Sequence, residues 1–326
     1  MQFKAIAAAL ALLVSVPALP AGAQDSAYPS KPVTVYVPFA AGGTADIFAR
    51  MVGEHLQKTW GPAFVVENIG GAGSILGVTR LARSAPDGAS IGLASTSALS
   101  INPTLYGAKL SYQPDRDLVP IGQISMVPNV LVINPAKLKV ASVPELIAYL
   151  KANPGKVSFG SAGVGTSQHL AAELFQQMTG TSMLHVPYRG SSQMVSDLLG
   201  GQIDLAFDNV PLLLPHAAAG KLVLLATATP QRAPFDPNLP ALAEFLPGFE
   251  AVAWHGFLAP AGTPRPIIDK LSAEIRAFMQ RPETVAKMTE LGAVAVATGP
   301  EDFARYIAAE TQRWKKVIET ANIRID

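Results

Sequence analysis

Apolar residues along this chain keep two alternating rhythms. Val33 to Phe39 is a β-branched and aromatic run, and from about Thr44 to Lys58 the spacing changes. There Ile47, Phe48, Met51, Val52, His55 and Leu56 recur at helical intervals, which predicts an amphipathic helix. Phe64 to Ile69 predicts a second strand, Ser74 to Arg83 a second helix and Ala89 to Ser95 a third strand. Strands alternating with helices imply a parallel sheet covered by helices on both faces.

The pattern restarts near Val127. Candidate strands are Asn129 to Ile133, Val157 to Gly160, Met183 to Val186, Ile203 to Phe207 and Leu222 to Ala228. Helices are predicted near Pro144 to Ala152, Ser167 to Thr179 and Ser191 to Leu199. The run "PQRAPFDPNLP", Pro230 to Pro240, reads as a linker or a long surface loop. After the strand-like "AVAWHGFLAP", the chain ends in helices, one starting at Thr263-Pro264 and one from about Pro300 to Ala321. These helices need a sheet to cover, and the first α/β segment supplies it. The expected organisation is a discontinuous lobe made of residues 24–126 and 240–326, with a second lobe, 127–239, inserted between two crossings. Two lobes joined by two crossings make a hinged cleft.

Composition narrows the class. Of 326 residues, 49% are hydrophobic and 15% charged, which is globular and not disordered. Basic and acidic residues number 25 and 24, and no Lys/Arg run appears, so nucleic acid is not expected as a partner. Residues 1–23 read as an export signal: Lys4 is the positive end, Ala5 to Val16 the apolar stretch and Ala21-Gly22-Ala23 the small-x-small cleavage site. That stretch is shorter than the ~20 residues a membrane span needs, so cleavage and a periplasmic location are expected. Cysteine is absent, which excludes disulfides and thiolate metal sites.

Three strand-to-helix junctions carry the candidate chemistry. They are Pro38 to Asp46, "FGSAGVGTSQHL" from Phe159 to Leu170, and "HVPYRGSSQ" from His185 to Gln193. In parallel α/β sheets such junctions lie at the carboxyl edge, where ligands bind. Each opens a helix whose first N–H groups lack partners and carry the positive end of the dipole. Small residues let an anion approach those groups. By spacing alone the glycines are also compatible with plain tight turns, and neither a P-loop ending nor G-x-G-x-x-G occurs, so no nucleotide or other cofactor is expected.

Several single residues carry two readings each. Asp46 is a dipole-capping, loop-shaping carboxylate or a contact to a ligand ammonium or ordered water. His169, with Glu173 one turn on, lacks further metal ligands, so hydrogen bonding is expected there and no metal. Arg189 either clamps a carboxylate or lies exposed at a hinge. Asp208 faces the cleft or caps the helix that Pro211 begins, and Trp254-His255 stacks on a ligand or packs at the crossing. A hydrolase is the main enzymatic alternative. It lacks support from any G-x-S-x-G elbow or cysteine nucleophile, and a non-enzyme is expected.

Six stretches in order along the chain resemble one family. They are "YPSKPVTVYVPFAAGGTADIFAR", "VVENIGGAGSILG", "PDGASIGLAS", "FGSAGVGTSQHLAAELF", "HVPYRGSSQMVSDLLGGQIDLAFDN" and "WHGFLAPAGTP". The chain is similar to the Bug/TctC receptors, extracytoplasmic solute-binding proteins of tripartite tricarboxylate transporters. The resemblance implies a type II periplasmic-binding-protein fold, α/β, with two lobes closing on a small carboxylate. Family ligands include tricarboxylates such as citrate, dicarboxylates, acidic amino acids, nicotinate-like acids and aromatic diacids. It also implies site residues. Phe39, Ala40, Ala41, Gly42 and Gly43 would hold a carboxylate through backbone and water, with Thr96 and Ser97 beside them. Ser161, Gly163, Gly165, Thr166, His169, Tyr188, Arg189 and Gly190 would close from the other lobe, and Asp46 and Asp208 join them as candidates on the residue reading above. Position 41 is alanine where many relatives carry proline, which leaves that turn less rigid. Implied partners are the membrane permease subunits, with a sensor kinase as an additional one. A monomer is expected, and the cleft region is poor in basic residues apart from Arg189, which favours a mono- or dicarboxylate over citrate.

Overall fold

The computed structural model describes residues 28–320 and 322–324. The expected export signal lies outside these residues. The strands in chain order are β1 (Val33–Val37), β2 (Phe64–Asn68), β3 (Ser90–Ser95), β4 (Leu118–Ile133), β5 (Ser158–Ser161), β6 (Leu184–Pro187), β7 (Leu205–Asn209), β8 (Val223–Thr227), β9 (Val252–Pro260) and β10 (Val294–Ala295). The helices are α1 (Thr44–Trp60), α2 (Ile75–Ala82), α3 (Asn102–Tyr106), α4 (Pro114–Asp117), α5 (Val143–Ala152), α6 (Ser167–Thr179), α7 (Ser191–Leu199), α8 (Val210–Ala218), α9 (Arg265–Met279), α10 (Pro282–Glu290) and α11 (Pro300–Thr320). No described helix is long and apolar enough to cross a membrane.

The strands form one curled sheet in the order β2-β1-β3-β9-β4-β7-β5-β6, with β8 and β10 also paired to β4. β1 runs parallel to β2 and β3, joined by helical crossovers, and β5 runs parallel to β6 and β7. Between these parallel sets lies β4, sixteen residues long. Leu118 to Pro128 pair with β9, whereas Asn129 to Ile133 pair with β7 and Val130 to Ile133 also pair with β8. The sequence pattern marks only Asn129 to Ile133 as strand. Pro120, Gly122 and Pro128 break the run before it, and the register shifts around Pro120 and again near Ser125 accommodate the irregularity.

The point where β4 changes partners is tightly bonded. Asn129 Nδ2 donates to the Ala251 carbonyl at 2.7 Å, and Asn209 Nδ2 donates to Asn129 Oδ1 at 2.8 Å. The backbone closes the same knot, from Ala228 N to Asn129 O and from Ala251 N to Ala228 O. Every one of these polar groups would otherwise be buried without a partner, at a cost of about 1–3 kcal/mol each.

The last helix ties the two ends of the sheet together. Phe303, near the start of α11, packs with Trp254, Tyr112 and Leu258 beside β9 and β3. Trp314 and Ile318, further along, sit in a different apolar cluster with Phe159, Phe175, Phe207 and Phe249. Between them Glu310 accepts from the Trp254 indole at 2.9 Å and from Arg313, so a single carboxylate pins the helix to β9.

Candidate functional site

Four helices begin around one point at the carboxyl edge of the sheet. α1 starts after Gly43, α6 after Thr166, α7 after Gly190 and α8 after Asn209. The reason is local sequence. Thr166 caps α6 by accepting from His169 N, and glycines precede α1 and α7, with a β-carbon at Gly190 pressing on Ala40. Gly43 just before α1, Thr44 and Ala45 of α1, Ser167 and Gln168 of α6, Ser191 of α7 and Asn209 just before α8 all line one cavity. Its remaining walls are Phe39, Ser95, Ser97, Ala162, Ala253 and His255. The cavity measures about 20 Å³, close to the space one water needs.

The electrostatics of this lining come from dipoles and not from charged side chains. No lysine, arginine, aspartate or glutamate lines the cavity. Burial pushes His255 down to about 4, so its imidazole is neutral at physiological pH, with Nδ1 3.1 Å from Ser125 Oγ. The hydroxyls of Thr44 and Ser95 are buried and have no protein partner. Uncompensated N–H groups at several helix starts, together with unpaired hydroxyls and no opposing negative charge in the wall, make a site that accepts an anion. Just behind the wall, Asp208 is fully buried. Its Oδ1 accepts from Ser191 Oγ at 2.6 Å and from Gln168 Nε2 at 3.2 Å.

Comparison with known proteins places this geometry. Residues 48–323 match the family described as tripartite tricarboxylate transporter family receptor. The chain belongs to that family. Protein BugT of Bordetella pertussis is 36% identical, with all of both chains covered. The R. palustris protein Rpa4515, solved with adipate, superposes with a TM-score of 0.88 at 35% identity, over 91% of this chain and 99% of that one. MatC from Rhodopseudomonas palustris, solved with bound malate, gives 0.84 at 30% identity, over 89% and 100%. Its fold is therefore that of the Bug/TctC periplasmic binding proteins, a family of solute-binding receptors.

In this receptor the residues singled out from sequence fall into two groups. Phe39, Gly43, Ser97 and His255 reach the cavity lining. The others build the loops around it. Gly42, at φ +78°, donates its N–H to Asp46 Oδ2 at 2.9 Å. Ala41 accepts from Ser192 Oγ at 2.9 Å, and Ala40 packs against Gly190. Thr96 is tied to the Trp254 backbone, its Oγ1 accepting from Trp254 N at 2.9 Å. Ser161 Oγ lies 2.7 Å from His185 Nε2, and Gly163 packs on the Tyr188 carbonyl. Gly165 N donates to His169 Nδ1, and the His169 ring stacks on His185 with centroids 4.4 Å apart. Tyr188 donates its hydroxyl to Asp197 at 2.8 Å, while the Arg189 side chain is exposed.

Residue pattern alone does not mark Thr44, Ala45, Ser95, Ala162, Ser167, Gln168, Ser191, Asn209 and Ala253 as lining residues. Most of these stand one or two places after a junction glycine or cap, at the first helical positions. Those positions hold the unpaired N–H groups, which is what marks them in a sequence as places for an anion.

Asp46 is a loop anchor in this geometry. Burial pushes its carboxyl up, but bonds from Arg50, Gly42 and Asn68 more than offset that and hold it below the ordinary carboxylate range. A depressed carboxyl stabilises above the unfolded-state pKa and loses that contribution as pH falls through its folded value, so the loop holds at neutral pH. Asp46→Ala is expected to leave the Gly42 N–H unpaired, cost about 1–2 kcal/mol and lower the melting temperature by a few degrees. Differential scanning calorimetry at pH 7 checks it.

Proposed function

We propose that this receptor is a periplasmic protein, exported by cleavage of residues 1–23, that captures a small carboxylate and hands it to the permease of a tripartite transporter. The observation that carries this reading is the convergence of the α1, α6, α7 and α8 N-termini on a cavity without a charged side chain. Dipoles and hydroxyls hold an anion without burying an unpaired cation, which limits the desolvation cost and keeps binding reversible. A chain of α1 N–H groups on one side and α6, α7 and α8 on the other suits a ligand with two anionic ends. Adipate in Rpa4515 and malate in MatC are such ligands.

The same geometry supports two lobes, 24–126 with 240–326 and 127–239, that part and close. A molecule the size of malate exceeds a cavity of about 20 Å³ whose walls are mostly buried, so entry requires the β1–α1 side and the β5–α6 side to separate. Closure then adds contacts from the second side that the open form lacks, a population shift driven by the ligand. The site comprises Phe39, Gly43, Thr44, Ser97, Gln168 and Ser191, supported by the loops of Gly163, Gly165 and Tyr188 to Gly190.

A thermal-shift screen across aliphatic, amino and aromatic carboxylates tests the reading. At a hundredfold excess over Kd a true ligand stabilises the native state by about 2.7 kcal/mol, an upward shift of roughly 5–10 °C. No shift with any carboxylate overturns it.

A further inference from the structure

Among the described residues, Asp208 is the carboxyl bonded directly behind the cavity wall. It is 0% exposed, and both of its side-chain partners, Gln168 and Ser191, belong to the lining. Both bonds fall on Oδ1, while Oδ2 is buried with no partner at all. Burial without a counter-charge outweighs the bonds from Ser191, the Asn209 backbone and Gln168, which favour the charged form, and raises this carboxyl to about 6.

The elements packed on β7 offer no relief. β4 and β5 carry no titratable side chain. α6 carries His169, which stacks on His185 and is pushed down by burial to about 3, and Glu173, whose carboxyl lies toward His169 at 3.7 Å. α7 carries Asp197, bonded to Tyr188, and α8 carries His216 in its last turn. None of them bonds Asp208, and the neutral His255 stands on the cavity wall itself.

We propose that Asp208 takes up a proton as a carboxylate ligand enters the cleft, so that affinity falls as pH rises. This rests on the carboxylate-receptor reading above. An anion beside the wall repels an ionised Asp208 through Gln168 and Ser191, and a proton on Oδ2 removes that repulsion. The proton comes from bulk solvent on binding and returns to it on release. The bonds on Oδ1 persist in both states, so the lining keeps its shape while the charge behind it changes. Because the effect is largest above pH 6, where free carboxylates are already ionised, it belongs to the protein and not to the ligand.

The test is isothermal titration calorimetry with malate or adipate, whichever gives the larger thermal shift, in two buffers of unlike ionisation enthalpy at pH 7. The apparent enthalpy is expected to differ between buffers in the direction of uptake, by roughly half to one proton per ligand. Between pH 6 and pH 8 the Kd is expected to rise by roughly ten- to a hundredfold. Asp208→Asn should abolish the uptake and flatten the pH dependence, while His255→Gln, whatever it does to affinity, should retain the uptake. Clear binding with equal enthalpy in both buffers overturns the proposal and leaves the receptor reading standing. So does uptake that survives in Asp208→Asn or vanishes in His255→Gln, which would place the proton on the histidine. Should Asp208→Asn fail to fold, the His255→Gln result decides alone. Absence of binding by every carboxylate overturns both readings together.

Discussion

Gly73→Val is expected to weaken carboxylate binding at least a hundredfold, about 2.7 kcal/mol, with far-UV circular dichroism unchanged. Gly73 sits at φ +55° in the short 3₁₀ turn before α2, and a β-carbon there would overlap the Val164 carbonyl oxygen across the cleft. The neighbouring turn cannot slide aside, because Asn102 Nδ2 holds the Gly73 carbonyl at 2.8 Å. The least costly relief is for the two sides to stay apart, which removes the α6 and α7 N-termini from the ligand. Gly61→Ala is the control. Gly61 also has a positive φ, +95°, but nothing lies within 4 Å, so only the backbone cost of about 1 kcal/mol is expected there, with affinity retained. Calorimetric affinity within threefold of the parent in Gly73→Val would refute the clash as a closure barrier.

The second large effect is on stability. Trp314→Ala is expected to cost about 3–5 kcal/mol, lowering the melting temperature by roughly 8 °C or more. Trp314 is 0% exposed, and its removal empties the place where α11 meets the cluster around Phe249 and Phe207. Trp314→Phe should lose less, since most of the apolar volume remains. Equal melting temperatures for the alanine variant and the parent would show that α11 is held mainly by its Phe303 end and the Glu310 bond.

Much of this architecture is legible in the order of residues, and the failures have physical causes. The helical spacing from Ile47 to Leu56 predicts α1 to within two residues of Trp60, and Ser167 to Thr179 and Ser191 to Leu199 are read at their observed bounds. These helices are amphipathic and begin at a glycine or threonine cap, so local sequence suffices. β4 is not legible over Leu118 to Pro128, because prolines and a glycine disrupt the β pattern and long-range pairing with β9 supplies what propensity does not. α3 escapes notice because Pro103 masks a helix that follows a π-helical turn at Ser97–Ile101.

The site divides along similar lines. Junction glycines announce that helices start there, and the family resemblance gives them a ligand class. Which side chains line the cavity depends on how four separate helix starts are aimed at one another, and this follows from the sheet, not from neighbours in sequence. Gln168 and Ser191 are distant in the chain and meet only through Asp208. Asp46 shows the reverse. An acidic residue in a first turn already suggests a loop anchor, and the bond from Gly42 N is local enough to be foreseen.

The shared strand sets a rule for recombining this receptor with its relatives. Exchanging the β5–β8 region for that of a homologue is an obvious way to graft a new ligand preference, and the segments that flank it are β4 and the run from β8 to β9. A junction on the first side falls within β4, whose residues on either side of Pro128 are read by different partner strands. A splice inside Leu118–Ile133 would join two registers that evolved against different neighbours, with the Asn129–Asn209 and Asn129–Ala251 bonds straddling the seam. Hybrids that import β4 entire, together with β9 and the Ala228–Ala251 segment, keep both registers native, and they are the ones that should fold.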